Sequence, residues 1–364
     1  MSTLTYEAPG VQNWLPAFTD RALARLRPRL AWQEGRYASF DAWRREARAK
    51  AMDCLLDPPP DAPFDPAVLA ERDMGTHISR KVVLNISGFS RVLGYLLVPA
   101  GSGPFPAVLL LHDHGARFDI GKEKVVRPWD VSKERVASSQ EWIATCYGGR
   151  YIGEELARRG YVCFVTDALN WSDRGEAGYE GQQALNSNLL NMGMSLAGLI
   201  AHEDLRAAAF LASLPEVDPQ RVAAMGLSMG SFRSWQVAGL SDHIRAAVCI
   251  CWMAARRGLL YPGANMARGN SAYTLTHPGL CSWLDHPDVA RLACPKPMLF
   301  YNGLQDGLFP VPAVEEAYDK MRSVWASQGA ADRFEARLWD VPHEFNAEMQ
   351  EEAFAWLDRQ FATD

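Results

Sequence analysis

A series of short apolar runs recurs along this chain, and helix-length segments separate them. The runs are Pro106–His112, Tyr161–Thr166, Arg221–Met225, Ala246–Cys251 and Lys296–Tyr301, and Phe334–Trp339 reads as a further strand after them. A strand that is apolar at nearly every position has no face to give to water, so it must be covered on both sides. Helical patterns fall between the runs, at Tyr151–Arg159, Asn186–Leu214, Ser231–Leu240, Val314–Gln328 and Asn346–Phe361. Strands alternating with helices predict an α/β fold, a mostly parallel central sheet with helices on both faces. Upstream, His77–Ile86 and Arg91–Val98 flank Ser87-Gly88-Phe89-Ser90, which reads as a hairpin.

At 364 residues the chain is longer than one average domain of about 150. Residues 11–56 read as helical, with Ser39 as a cap and Phe40, Trp43, Ala47 and Ala51 at helical spacing. Asp57-Pro-Pro-Pro-Asp-Ala-Pro-Phe-Asp-Pro66 then breaks any regular element. The expected organisation is an N-terminal helical extension and Pro-rich linker over 1–66, then a main domain over 67–364, with residues 116–150 expected as an insertion near the functional site of that domain.

Lys plus Arg total 37 against 43 Asp plus Glu, a net charge of −6. No basic run stands out, which argues against nucleic acid or a membrane surface as partner. The seven Cys form no C-x-x-C pair, which excludes zinc-ribbon and thioredoxin readings. The start of the chain has neither the basic segment nor the apolar stretch of a secretion signal, and the longest apolar stretch, Ala246–Ala255, is about half a membrane span. The expectation is a cytoplasmic protein with a small-molecule partner; homo-oligomer formation is left open.

Gly226-Leu-Ser228-Met-Gly230 matches G-x-S-x-G, with a strand leading in and a helix leading out. That context is what a nucleophile elbow requires, since the tight turn lifts the serine hydroxyl clear at the carboxyl end of a strand. Gly193-Met-Ser195-Leu-Ala197 is a decoy, because no strand precedes it. A serine hydroxyl needs a base, and the base needs a carboxylate to orient it. Among eight His, only His343 follows the last core strand, in Asp340-Val-Pro-His343-Glu-Phe. Asp306, in Asn302-Gly-Leu-Gln-Asp306-Gly, lies directly beyond a strand and is preferred over Asp285.

Two backbone donors must face a developing oxyanion. Position selects the N–H of Met229, just after the serine, and the N–H of His114 in the loop after Leu109-Leu-Leu-His112-Asp113-His114-Gly115. A metal reading of His112-Asp113-His114 is set aside, because adjacent residues at a strand end diverge and no further ligand cluster accompanies them. His112, Trp171 and Trp252 are the candidates for lining a substrate pocket.

From roughly residue 80 to 362 the chain resembles the α/β-hydrolase superfamily. Pro215-Glu-Val-Asp-Pro-Gln-Arg-Val-Ala-Ala-Met-Gly-Leu-Ser-Met-Gly230 is similar to its dienelactone hydrolase and acetyl xylan esterase-like branch, and Leu111-His-Asp-His-Gly-Ala-Arg-Phe-Asp-Ile-Gly-Lys-Glu-Lys124 resembles bacterial acetyl xylan esterase-like proteins. The resemblance implies the α/β-hydrolase fold, Ser228, Asp306 and His343 as triad, no metal, no cofactor, and an acyl-enzyme route on carboxylic esters. Dienelactone hydrolases proper carry Cys where this chain has Ser228, which points away from that activity. The alternatives are hydrolysis of a C–C or peptide bond by the same triad, metal-dependent hydrolysis, and a non-catalytic binding protein on the same fold.

Overall fold

In the computed structural model, which describes residues 21–175, 178–260 and 273–362, consecutive residues of the apolar runs alternate between two cores. Ala107, Leu109, Val162, Phe164, Val222 and Ala224 face one, and Val108, Leu110, Cys163, Val165, Ala223 and Met225 face the other. This is why the strands read as continuous apolar runs.

The strands are β1 (Ala67–Asp73), β2 (His77–Asn85), β3 (Arg91–Pro99), β4 (Phe105–Leu110), β5 (Val162–Thr166), β6 (Val217–Leu227), β7 (Ala246–Ile250), β8 (Met298–Gly303) and β9 (Phe334–Trp339). They form one nine-stranded sheet in the order β1-β2-β3-β5-β4-β6-β7-β8-β9. The β1, β2 and β3 end is antiparallel, and every pair from β5 to β9 is parallel. The hairpin predicted at Ser87–Ser90 closes with Ile86 N–H donating to Ser90 O at 2.9 Å.

The helices are α1 (Phe40–Asp53), α2 (Lys133–Cys146), α3 (Ile152–Arg158), α4 (Gly178–Asn191), α5 (Leu196–Ser213), α6 (Met229–Leu240), α7 (Arg256–Leu259), α8 (His286–Arg291), α9 (Val311–Ser327) and α10 (Ala347–Phe361). Helices α1, α5, α6, α8 and α9 cover one face of the sheet, and α2, α3 and α10 the other.

Two readings of the sequence change here. The helix expected over Asn186–Leu214 is two helices. Gly193, at φ +80°, breaks the run, and Ser195 restarts it as an N-cap whose hydroxyl accepts from Gly198 N–H. The decoy serine is therefore a helix cap. The helical reading of 11–56 holds over residues 21–25 and over α1; residues 26–39 are turns and irregular backbone, and 11–20 lie outside the described residues. Helix α1 joins the same core as the sheet: Trp43 is fully buried and donates to Leu30 O at 2.7 Å, and the Arg48 guanidinium donates to Leu240 O at 2.6 Å. Among the described residues no helix is long and apolar enough to cross a membrane.

Candidate active site

The site builds from the end of β6. Ser228 sits between β6 and α6 at φ 56°, ψ −124°, in a region that L-residues adopt only under strain of about 1–3 kcal/mol. Its N–H donates to Ile250 O at 2.8 Å, which ties the turn to the end of β7. Gly226 and Gly230 are required by close approach: a methyl at Gly230 would overlap the Leu111 carbonyl, and one at Gly226 would overlap both that carbonyl and Gly230. The loop after β4 is thus pressed against the elbow. Met229 opens α6, so its N–H has no partner inside the helix.

His343 and Asp306 come together. Beyond β8 and β9 the chain keeps pairing, since Leu304 N–H donates to Trp339 O at 2.7 Å and Gln305 N–H to Val341 O at 3.1 Å. Gly303 makes room for this, because a methyl there would overlap the Val341 carbonyl. The other glycine of that loop, Gly307, has nothing within 4 Å of an added methyl and is under no such constraint. Asp306 Oδ1 accepts from Leu308 N–H at 2.9 Å, and Oδ2 lies 2.6 Å from His343 Nδ1. The Asp306 carboxylate is fully enclosed, while the imidazole is 25% exposed. Phe309 stacks on the imidazole with ring centroids 6.2 Å apart. Ser228, at the end of β6 with β7 between it and β8, is half-buried, and its hydroxyl is not hydrogen-bonded to the imidazole among the described residues.

Sequence reasoning missed Cys251 here. It directly follows β7 at φ 55°, and its sulfur lies within 4.8 Å of ligating atoms of both Asp306 and His343. Burial, with the Asp306 charge adding, holds its thiol far above the usual range, so it packs behind the pair as a neutral group. The rival acid, Asp285, is a helix cap. Its carboxylate accepts from His286 N–H and Arg256 N–H, both at 2.8 Å, and shares a capping box with Asp288. Burial, followed by the Asp288 charge, pushes it up to about 6.

The three side chains expected to line a pocket are sealed instead. His112 and Trp171 have no exposed surface and Trp252 has 1%. His112 Nε2 accepts from Ala168 N–H at 2.9 Å and Nδ1 lies 2.9 Å from Asp113 O, so both ring nitrogens serve the backbone. Burial, then Arg233 and Lys124, hold its pKa well below the usual range, so the ring stays neutral. Trp171 Nε1 donates to His114 O at 3.2 Å. Trp252 packs among Phe232, His286 and Phe309 at 4.8, 4.9 and 5.3 Å. His112 and Trp171 brace the loops around the site, because their ring nitrogens are spent on backbone groups, and Trp252 fills the core with its rings while its buried Nε1 has no hydrogen-bond partner among the described residues. His114 is also buried: its ring stacks on Tyr179, and burial, then Lys124, push its pKa down to about 4.

The profile of the Dienelactone hydrolase family matches residues 140–256. The candidate hydrolase YtaP of Bacillus subtilis (strain 168) is 27% identical over 318 residues, covering 87% of this chain and 99% of YtaP. A candidate acetyl xylan esterase from Bacteroides fragilis NCTC 9343 superposes with a TM-score of 0.72 at 16% identity, over 90% of this chain and 83% of that one. A glucuronoyl esterase from Solibacter usitatus gives 0.67 at 13% identity, over 93% and 100%. The chain therefore has the α/β-hydrolase fold, and its resemblance runs to the dienelactone hydrolase and acetyl xylan esterase-like branch of that superfamily.

Proposed function

We propose that the protein is a serine carboxylic-ester hydrolase with Ser228 as nucleophile, His343 as general base and Asp306 as the carboxylate that orients the base. The observation that carries this reading is the 2.6 Å contact from His343 Nδ1 to the enclosed Asp306 carboxylate, in loops at the same sheet edge as the strained Ser228 turn. A carboxylate accepting from Nδ1–H leaves Nε2 bare, which is the tautomer able to take a proton from a hydroxyl. Ser228 Oγ attacks the ester carbonyl as Nε2 takes its proton. The tetrahedral oxyanion is met by the N–H groups of Met229 and His114. Collapse breaks the C–O bond and the alcohol leaves with the proton from Nε2. Water, deprotonated by the same nitrogen, then frees the acyl group and restores the serine.

The comparison proteins named as esterases act, by their names, on acetylated xylan and on glucuronoyl esters. What these share is a carboxylic ester on a carbohydrate, so the substrates proposed here are acetylated carbohydrate or other small esters, hydrolysed in the cytoplasm. The test is Ser228→Ala. Turnover of p-nitrophenyl acetate is expected to fall about 10⁴-fold or more with the fold intact, and a fluorophosphonate is expected to label Ser228 in the parent only. Retained turnover in the variant overturns the reading. An acetyl, feruloyl, methyl-uronate and long-acyl ester panel then identifies the substrate.

A further inference from the structure

Two lysines of the insertion after β4, Lys122 and Lys124, are among the most deeply buried side chains of the protein. Lys122 Nζ is taken up by carboxylates, Asp167 and Asp173, each at 2.6 Å. Lys124 is different, because its closest partners are backbone carbonyls. Its Nζ lies 2.9 Å from Asp113 O and 2.9 Å from His114 O. The Asp113 carboxylate stands farther off at 3.6 Å and is itself held by Tyr147 OH at 2.7 Å and Trp142 Nε1 at 3.1 Å.

Each of those carbonyls has a second donor on the same inner side. Asp113 O is held by His112 Nδ1 and His114 O by Trp171 Nε1. Both peptide bonds are trans. A trans peptide is planar with its N–H opposite its C=O, so carbonyls drawn inward toward one ammonium send the N–H groups of His114 and Gly115 outward. Neither N–H has an acceptor among the described residues. The same loop carries the backbone pressed against Gly226 and Gly230 of the elbow. A cation at the oxygen end of an amide also draws electron density from its N–H, which makes that group a stronger donor.

We propose that Lys124 is a positioning residue for the oxyanion hole: its ammonium grips the carbonyl ends of the 113–114 and 114–115 peptides, and so aims and polarises the His114 amide toward the substrate oxygen. The proposal rests on the serine-hydrolase reading. Lys124 touches no reacting atom; it acts through the peptide.

The test compares Lys124→Met with Lys124→Met/Asp113→Asn. The double variant removes the carboxylate that the single variant leaves buried without its cation, so it keeps the loop charge-balanced. Turnover of p-nitrophenyl acetate and inhibition by an aryl trifluoromethyl ketone, whose hemiketal places an oxyanion in the hole, are measured on both. In both, kcat is expected to fall about 10²-fold, the ketone to weaken by the same factor, and KM to stay within about twofold. A double variant with parental kcat would show that Lys124 only balances Asp113, and the proposal falls. It falls equally if kcat drops while ketone affinity holds. Ser228→Ala separates the two levels. Loss of ketone adduct in Ser228→Ala keeps the serine reading whatever Lys124→Met does, and full turnover in Ser228→Ala removes both.

Discussion

Replacing Asp306 with Asn tests the orientation of the base at a single atom. Oδ1 of Asp306 accepts from Leu308 N–H at 2.9 Å, and of the two ends of an Asn amide only the oxygen can accept that N–H. The introduced amide must therefore keep its oxygen on that side and turn its NH₂ toward His343 Nδ1. Two donors cannot face each other, so the ring is expected to move its proton to Nε2, and Nε2 then cannot accept from Ser228. The new side chain is isosteric, its backbone bond survives, and the carboxylate position is enclosed, so the fold has no reason to change. When a triad base is held in the wrong tautomer the loss is on the order of 10⁴ in kcat, about 5.5 kcal/mol in the barrier. The assay is kcat for p-nitrophenyl acetate across pH, with a thermal melt alongside. Asp285→Asn is the control, since that carboxylate caps a helix and Asn caps nearly as well; its kcat is expected to match the parent. An Asp306→Asn enzyme retaining more than about a tenth of parental kcat would refute the tautomer argument, as would an equal loss in Asp285→Asn.

Other outcomes follow from the same geometry. Gly230→Ala places a methyl onto the Leu111 carbonyl, whereas Gly307→Ala meets nothing within 4 Å; the first is expected to cost at least about 1–3 kcal/mol in a denaturant melt and the second to be neutral. Ser195→Ala removes the cap on α5 and is expected to cost about 1 kcal/mol of stability with esterase activity unchanged, which an activity assay beside the melt will check. Glu154 is enclosed, and burial pushes its carboxyl up from 4.5 to about 7. The folded state then holds a proton that the unfolded state has lost, so stability from this group is fully present below about pH 4.5 and declines as pH rises toward 7. Glu154→Gln is expected to flatten that decline and to be more stable than the parent at pH 8, by at most about 3 kcal/mol; parallel stability curves for the two proteins would contradict this.

Strands buried on both faces announce themselves in sequence, as β5 and β7 do with every residue buried; β9 has the same limits in both readings, Phe334–Trp339, although its Glu335 is exposed. Strand β1 went unseen because it is the sheet edge. Val68 and Leu69 are more than half exposed, so burial imposes no pattern on Ala67–Asp73. The apolar periodicity of 186–214 ran through a real break, and the signal that could have found it was Gly193 followed two residues later by a capping Ser195. The Asp306 and His343 positions were legible because chain order and strand ends restrict the candidates. The pocket residues were not, because a Trp that packs and a Trp that meets substrate look alike in composition. Lys124 was invisible for a related reason. Lysine belongs on surfaces, and only the fold shows two carbonyls waiting for it.

The ladder that β8 and β9 continue past their ends, through Leu304 and Gln305, couples imidazole and carboxylate in one mechanical body. A drift of α10 or a swelling of the loop around Leu308 will carry both groups in step, while the serine, anchored to a different strand, stays behind. Natural variation in this enzyme's reactivity should therefore track how that two-residue unit slides relative to the elbow. Loop grafts will keep the contact between His343 and Asp306 only when residues 303–306 and 339–343 are moved as one piece.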